Sequence, residues 1–205
     1  FFITGNNIIY NKSFWWDVIY KNRTKEGASK ISIRNEQEDT KHFKYDYINS
    51  YIIKNFGKDA FKPWSDIDRP MTEEEVKILA KSPYTLIGNH TLNHIILPNY
   101  DKNEIRREFI GANEYLFRLT GLVPNVVAFP NGDFNESAIE VASEVGFRVA
   151  FNATASVNKL PSGSEKLILL NRFMSNDHNI RYYGSFYRLG YTPGTLRSSI
   201  RSKFT

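Results

Sequence analysis

The 205-residue sequence contains no cysteine. That excludes disulfides, thiolate metal sites and cysteine nucleophiles, and it leaves the compartment open. No apolar run approaches 18 residues, so no membrane-spanning helix is visible. No signal peptide is visible either, but the chain starts at Phe1 without a Met, so this says little about processing. Internal repeats and low-complexity tracts are absent. Acidic residues number 22 against 27 Lys and Arg, a formal net charge of +5. A mildly basic surface suits nucleic acid, anionic lipid or an acidic glycan, and equally serves solubility alone.

What is present reads as one globular domain, with 41% hydrophobic and 24% charged residues. "FFITGN" predicts a buried strand that enters a loop at Gly5-Asn6. It starts at full hydrophobicity, as if cut inside a domain. Residues from about 12 to 70 are rich in Lys, Asn, Asp, Glu and Tyr, with "SFWWDVIY" as their apolar anchor. They predict an irregular insertion with some helix in "YDYINSYIIKNFG". Trp15 and Trp16 present flat faces that can stack on sugar rings; the alternative is that they anchor the insertion to the core.

Beyond the insertion the pattern is regular. "MTEEEVKILAKSP" predicts a helix capped by Thr72, with Glu73, Glu74 and Glu75 favoured at its positive end. "DKNEIRREFIGANEYLFRLTG" predicts a second, from the Asp101 cap to a stop at Gly121, and "NESAIEVASEVG" a third, from Asn135 to Gly146. Between and after them "YTLIGNH", "NVVAFPNG", "FRVAFNA" and "KLILLNRFM" read as short strands. Helices alternating with apolar strands indicate a parallel α/β sheet or barrel, whose functional loops lie at the strand carboxyl ends. His90, Asn131 and Gly132 fall there.

"IGNHTLNH" places His90 and His94 four residues apart. If they open a helical turn, both imidazoles share one face and can share a metal ion. Neutral imidazole suits zinc, cobalt or nickel. The alternative is one exposed His and one hydrogen-bonded His.

Taken in order, "FFITG", "IGNHTLNH", the helix ending "LTG", and "VVAFPNGDFNESAIEVASEVGFRVAF" resemble the polysaccharide deacetylase family, also called the NodB-homology or carbohydrate esterase family 4 domain. "HTLNH" matches its H-[S/T]-x-x-H metal motif, and "AFPNG" resembles the third motif of the F-A-Y-P-Y-G subgroup. "FWWD" opening the insertion also looks like a subgroup feature. The resemblance covers residues 1 to 6 and about 71 to 175. It implies a distorted (β/α) barrel of the NodB type lacking its first strand and helix, with residues 1–205 as a single domain, incomplete at its N-terminus. "FFITG" should then lie beside "YTLIGNH" in parallel.

The same resemblance implies a metal-dependent deacetylase acting on an acetylated glycan, with His90 and His94 as ligands to a divalent ion, zinc above all. Thr91 would brace the metal loop, and the backbone N–H of Asn131 would donate to the oxyanion. Pro130 and Gly132 would contact the substrate beside it, and Arg172 stands where the subgroup often carries a functional Arg. Two departures accompany the match. The family's T-F-D-D-G strand, which carries a metal-binding Asp and a general-base Asp, is absent, as is its C-terminal L-x-H. Asp66, Asp68 and Asp133 are conceivable substitutes for the ligand, with a helix-capping turn as the alternative for Asp133. His178 is a candidate acid or a surface histidine. The Arg of the family's R-x-P-Y-G motif is Ala128 here. A non-catalytic carbohydrate-binding or interaction module on the same fold is the alternative function. The basic, aromatic "RYYGSFYRLGYTPGTLRSSIRSKF" could stack on single-stranded nucleic acid; packing on the domain is preferred, and no nucleic-acid partner is expected. Bacterial cytoplasm and cell envelope both stay open, as do the glycan, the acetyl position and the oligomeric state.

Overall fold

The computed structural model describes residues 1–158 and 166–173. Five strands form one sheet: β1 (Phe2–Ile3), β2 (Gly88–Asn89), β3 (Val126–Ala128), β4 (Val149–Phe151) and β5 (Ile168–Leu170). They lie side by side in chain order, and every pair is parallel. Phe2 faces Gly88 and Ile3 faces Asn89, so "FFITG" and "YTLIGNH" pair as expected. Parallel neighbours joined by helical crossovers explain why the sequence alternates helix and strand.

Seven α-helices accompany the sheet among the described residues: α1 (Gly5–Ile9), α2 (Trp15–Lys25), α3 (Lys30–Thr40), α4 (Tyr45–Phe56), α5 (Glu73–Lys81), α6 (Lys102–Thr120) and α7 (Glu136–Val145). The expected caps hold. Thr72 and Asp101 each form a reciprocal capping box, with Glu75 and Glu104, and Asn135 accepts from the Ala138 N–H. Gly121 and Gly146 end their helices in the left-handed conformation.

Two expectations need correction. The chain does not enter a loop at Gly5-Asn6: it forms the short helix α1, held by the Asn6 N–H donating to the Leu92 carbonyl at 2.8 Å. Nor is the insertion irregular. It is the three-helix unit α2–α4, with a core of its own made by Trp15, Val18, Ile19, Ile33, Ile48, Ile52 and Ala60. The polar middle folds because Ser29 caps α3 and because Arg23, Glu36 and Tyr51 tie the three helices together by side-chain hydrogen bonds.

A second core fills the space between the sheet and α6 and α7, with Phe109, Val127, Phe129, Val141 and Phe147 fully buried. A third packs β1 against α5 and α6 through Ile3, Val76, Ile87 and Leu116. These cores leave the carboxyl ends of all five strands on one side, where β1 leads to Thr4, β2 to His90 and β3 to Phe129.

Candidate functional site

The His90–His94 segment leaves β2 and crosses the end of the sheet. It is not a helical turn. Thr91 and His94 both take positive φ, 63° and 53°, a region that costs a non-glycine residue about 1–3 kcal/mol. Its surroundings hold it there. Asn89 is wholly buried, accepts the Thr91 N–H at 2.8 Å and donates to the Phe109 carbonyl and the Asn113 amide of α6. The Thr91 hydroxyl accepts the Ile95 N–H, which is the brace expected of it. Glu108 of α6 accepts both the backbone N–H and the side-chain N–H of Asn93, at 2.8 and 2.6 Å, and Asn6 of α1 donates to Asn93 Oδ1. Nothing in the spacing of "HTLNH" pointed to Glu108, which is 14 residues downstream of His94 in a different element.

The outcome is convergence. The rings of His90 and His94 lie 4.7 Å apart, centroid to centroid, and nearly perpendicular. His90 Nδ1 lies 2.7 Å from the Ala128 carbonyl at the end of β3, which fixes that nitrogen as the N–H and leaves Nε2 as the lone-pair donor. Burial pushes the His90 imidazole down to about 4, with the Arg172 charge adding to the shift. Burial also holds His94 well below its ordinary value, and His90 adds to it. Both rings are therefore neutral near pH 7, the form that ligates metals.

Around the pair lies a cavity of about 390 Å³ lined by Phe2, Phe14, Trp16, Met71, His90 and His94 among others. Phe2 of β1 supplies one part of its aromatic wall, and the insertion supplies the other. Phe14 and Trp16 stack 4.6 Å apart at 13°, and both rings pack on His94, at 5.6 and 4.6 Å. The two tryptophans thus separate: Trp16 faces the cavity, whereas Trp15 is 7% exposed in the insertion core and is an anchor. Phe14 entered the sequence reading only as the first residue of "FWWD" and was not marked as a site residue, since one aromatic before "WWD" has no distinguishing pattern.

The third-motif segment forms a single 3-10 turn, Pro130–Gly132, after β3. Asn131 is left-handed, with φ 55°. Its N–H stands at the second position of that turn, where no earlier turn supplies an acceptor. Gly132 has φ 79°, and a Cβ there would come within 2.3 Å of the Ala153 Cβ. Arg172, after β5, donates from Nε to the Asn152 carbonyl at 2.7 Å and is close enough for its charge to act on His90.

The acidic candidates do not reach the histidines. Asp68 accepts from Lys21, Ser13 and the N–H groups of Trp64 and Ser65, and so fastens the insertion to its own return segment. Asp66 pairs with Arg69 at the surface. Asp133 does not cap α7, since Asn135 does. Among the described residues no group of three or more His, Cys, Asp or Glu is placed to hold a metal. His178 and the basic C-terminal stretch lie outside the described residues.

A parallel α/β sheet with a converging histidine pair and a tight Pro-Asn-Gly turn at its strand ends is the arrangement that the sequence resemblance implied. The comparisons agree: the family model described as polysaccharide deacetylase matches residues 1–150, and the chain belongs to that family. It is 34% identical over 64 residues to a peptidoglycan-N-acetylglucosamine deacetylase of Bacillus cereus, a match over 31% of this chain and 23% of that protein. Among solved structures, IcaB from Ammonifex degensii is similar with a TM-score of 0.51 and 18% identity, covering 62% of this chain and 57% of that one. A de-N-acetylase from Aggregatibacter actinomycetemcomitans is similar over 61% of this chain and 57% of its own, with 19% identity and a TM-score of 0.48. The likeness to IcaB shows the fold, the distorted (β/α) barrel of the NodB type. The chain spans about a quarter of the curated relative's length and about 57% of each of these two structures'.

Proposed function

We propose that this chain is the histidine-bearing part of a metal-dependent deacetylase acting on an N-acetylated polysaccharide. The observation that carries the reading is the convergence of two neutral imidazoles, His90 half-buried and His94 buried, in an aromatic-walled cavity at the strand ends.

The donor set fits a borderline divalent ion, zinc above all, with cobalt or nickel as substitutes. His90 would bind through Nε2, because its Nδ1 is engaged by Ala128. His94 carries a buried Nδ1 with no hydrogen-bond partner, consistent with a ring placed for something beyond ordinary packing. When bound, such an ion supplies Lewis-acid polarisation of a carbonyl and a more acidic water. The residues of this chain do the rest. Phe14 and Trp16 offer faces to a sugar ring and exclude water from His94. The Asn131 N–H donates to the developing oxyanion, with Pro130 and Gly132 shaping the approach, and Arg172 adds positive charge beside His90.

Two imidazoles do not hold an open catalytic ion by themselves. We infer that the third ligand and the general base are carboxylates from outside the described residues. Among the described residues β1 ends the strand order, and the cavity runs along Phe1, Phe2, Ile3 and Thr4, so a further strand bearing an Asp pair would meet the histidines there. The subgroup assignment, with "AFPNG" for F-A-Y-P-Y-G, belongs to the same reading.

The test is acetate release from an N-acetylated glycan with added zinc or cobalt. Residues 1–205 alone are expected to be essentially inactive. A longer chain that includes an Asp-Asp strand should turn over, and His90→Ala or His94→Ala should abolish that turnover with loss of bound metal. Robust turnover by residues 1–205, or full activity of the longer His94→Ala variant, would place the chemistry elsewhere. The two-donor set also favours a second reading, a carbohydrate-binding module without catalysis. Glycan binding with no acetate release in any longer chain would select it.

A further inference from the structure

A second, much smaller cavity adjoins His94. It measures about 10 Å³ and lies where α1, α4 and the His90–His94 segment meet, lined by Asn7, Ser13, Tyr45, Asn49, Asn93 and His94 among others. That is about the space a single water centre occupies. Two buried side-chain atoms among the described residues have no hydrogen-bond partner: His94 Nδ1 and Asn49 Oδ1. Both belong to residues of this one cavity. A shared partner accounts for them better than two independent defects in a well-packed region, because buried polar atoms are nearly always satisfied.

The position of Asn49 supports this: Tyr45 and Asn49 lie four residues apart on one face of α4, and both line the cavity with His94. Of the other amides lining the cavity, Asn93 is already committed to Glu108 and Asn6, and Asn7 donates to the Lys12 carbonyl.

We propose that an ordered water in this cavity bridges Asn49 Oδ1 and His94 Nδ1, which makes Asn49 of the helical insertion a positioning residue for the His94 ring. The carbonyl oxygen can only accept, so the water donates one hydrogen to it. A water lone pair then accepts from Nδ1–H, and Nε2 is left as the donor toward the cavity. The link to metal binding rests on the reading of His94 as a ligand; the water itself does not. The insertion thereby touches His94 twice, through the Phe14–Trp16 wall and through Asn49. Outer partners of this kind fix the tautomer and ring angle of a ligating histidine.

The experiment is a crystal structure of the full protein at a resolution that shows ordered water, with zinc affinity measured by competition with a chelator. Expected is a water within hydrogen-bonding distance of both atoms. Asn49→Leu should expel it and weaken zinc binding by about tenfold or more, while Asn49→Asp keeps both the water and the affinity. A dry cavity in the wild-type protein overturns the proposal, and so does an Asn49→Leu variant that binds zinc as tightly as wild type. If Asn49→Leu does not fold, the wild-type cavity and the Asn49→Asp variant decide. A wild-type protein that holds the water but takes up no zinc would uphold the bridge and remove the metal reading.

Discussion

Asn131 and Gly132 sit side by side in the left-handed region, yet they should respond differently to substitution. Asn131 is exposed, and its proposed role lies in the main chain. Asn131→Ala should therefore leave any acetate release nearly unchanged, while costing about 1 kcal/mol of stability because alanine tolerates positive φ poorly. Asn131→Gly should restore that loss. Gly132→Ala adds a collision with Ala153 to the same penalty, and a cost of about 2 kcal/mol or more is expected. Urea unfolding of the three variants measures this. Equal midpoints for Asn131→Ala and Gly132→Ala would mean that the turn relaxes away from Ala153. At this scale the sequence marked the histidines and the turn, and left Trp16 between a cavity face and a core anchor. It could not show Glu108, Phe14 or Asn49, because their roles arise from contacts between elements far apart in the chain.

The insertion is closed by one carboxylate. Asp68 takes hydrogen bonds from Lys21, Ser13, Trp64 and Ser65, and despite partial burial these hold it well below the usual carboxylate range. A folded value below the unfolded one means that ionised Asp68 stabilises the fold above the unfolded pKa near 3.8. That contribution fades as pH falls through the folded value. The stability gap between wild type and Asp68→Asn should thus be widest near neutrality and shrink steadily below about pH 4. A gap that stays constant from pH 6 down to pH 2 would deny Asp68 this role. The helices α5, α6 and α7 were legible because each has a strong cap and a wide apolar stripe. The helix α3 was not: it buries just Ile33 and Thr40 of its eleven residues, so its period of 3.6 leaves little trace in the hydrophobic pattern. The short helix α1 was hidden for another reason, since its Gly5-Asn6 start carries a turn signal and its support comes from the His loop.

Over the whole described chain, the insertion core and the sheet cores are distinct clusters. Native-state amide exchange should therefore resolve two cooperative units. The slowest amides should lie in β3, β4 and α6, around the fully buried Phe109, Val127 and Phe147. The amides of α2–α4 should open together at a lower free energy. A single exchange phase spanning both would show that the insertion is energetically part of the barrel. The parallel sheet was legible from alternation alone, whereas the insertion's integrity depends on packing that its polar composition conceals.

The placement of the tryptophans gives the molecule a built-in optical probe. The chain has three: Trp15 buried in the insertion core, Trp64 56% exposed, and Trp16 with its ring 4.6 Å from that of His94. With Trp15 and Trp64 replaced by Phe, emission would come from the indole against the histidine pair. Zinc added to that variant should change its intensity, and His94→Ala should abolish the response. The same signal would follow a sugar entering the cavity, so occupancy of the site could be read by fluorescence before any substrate is known.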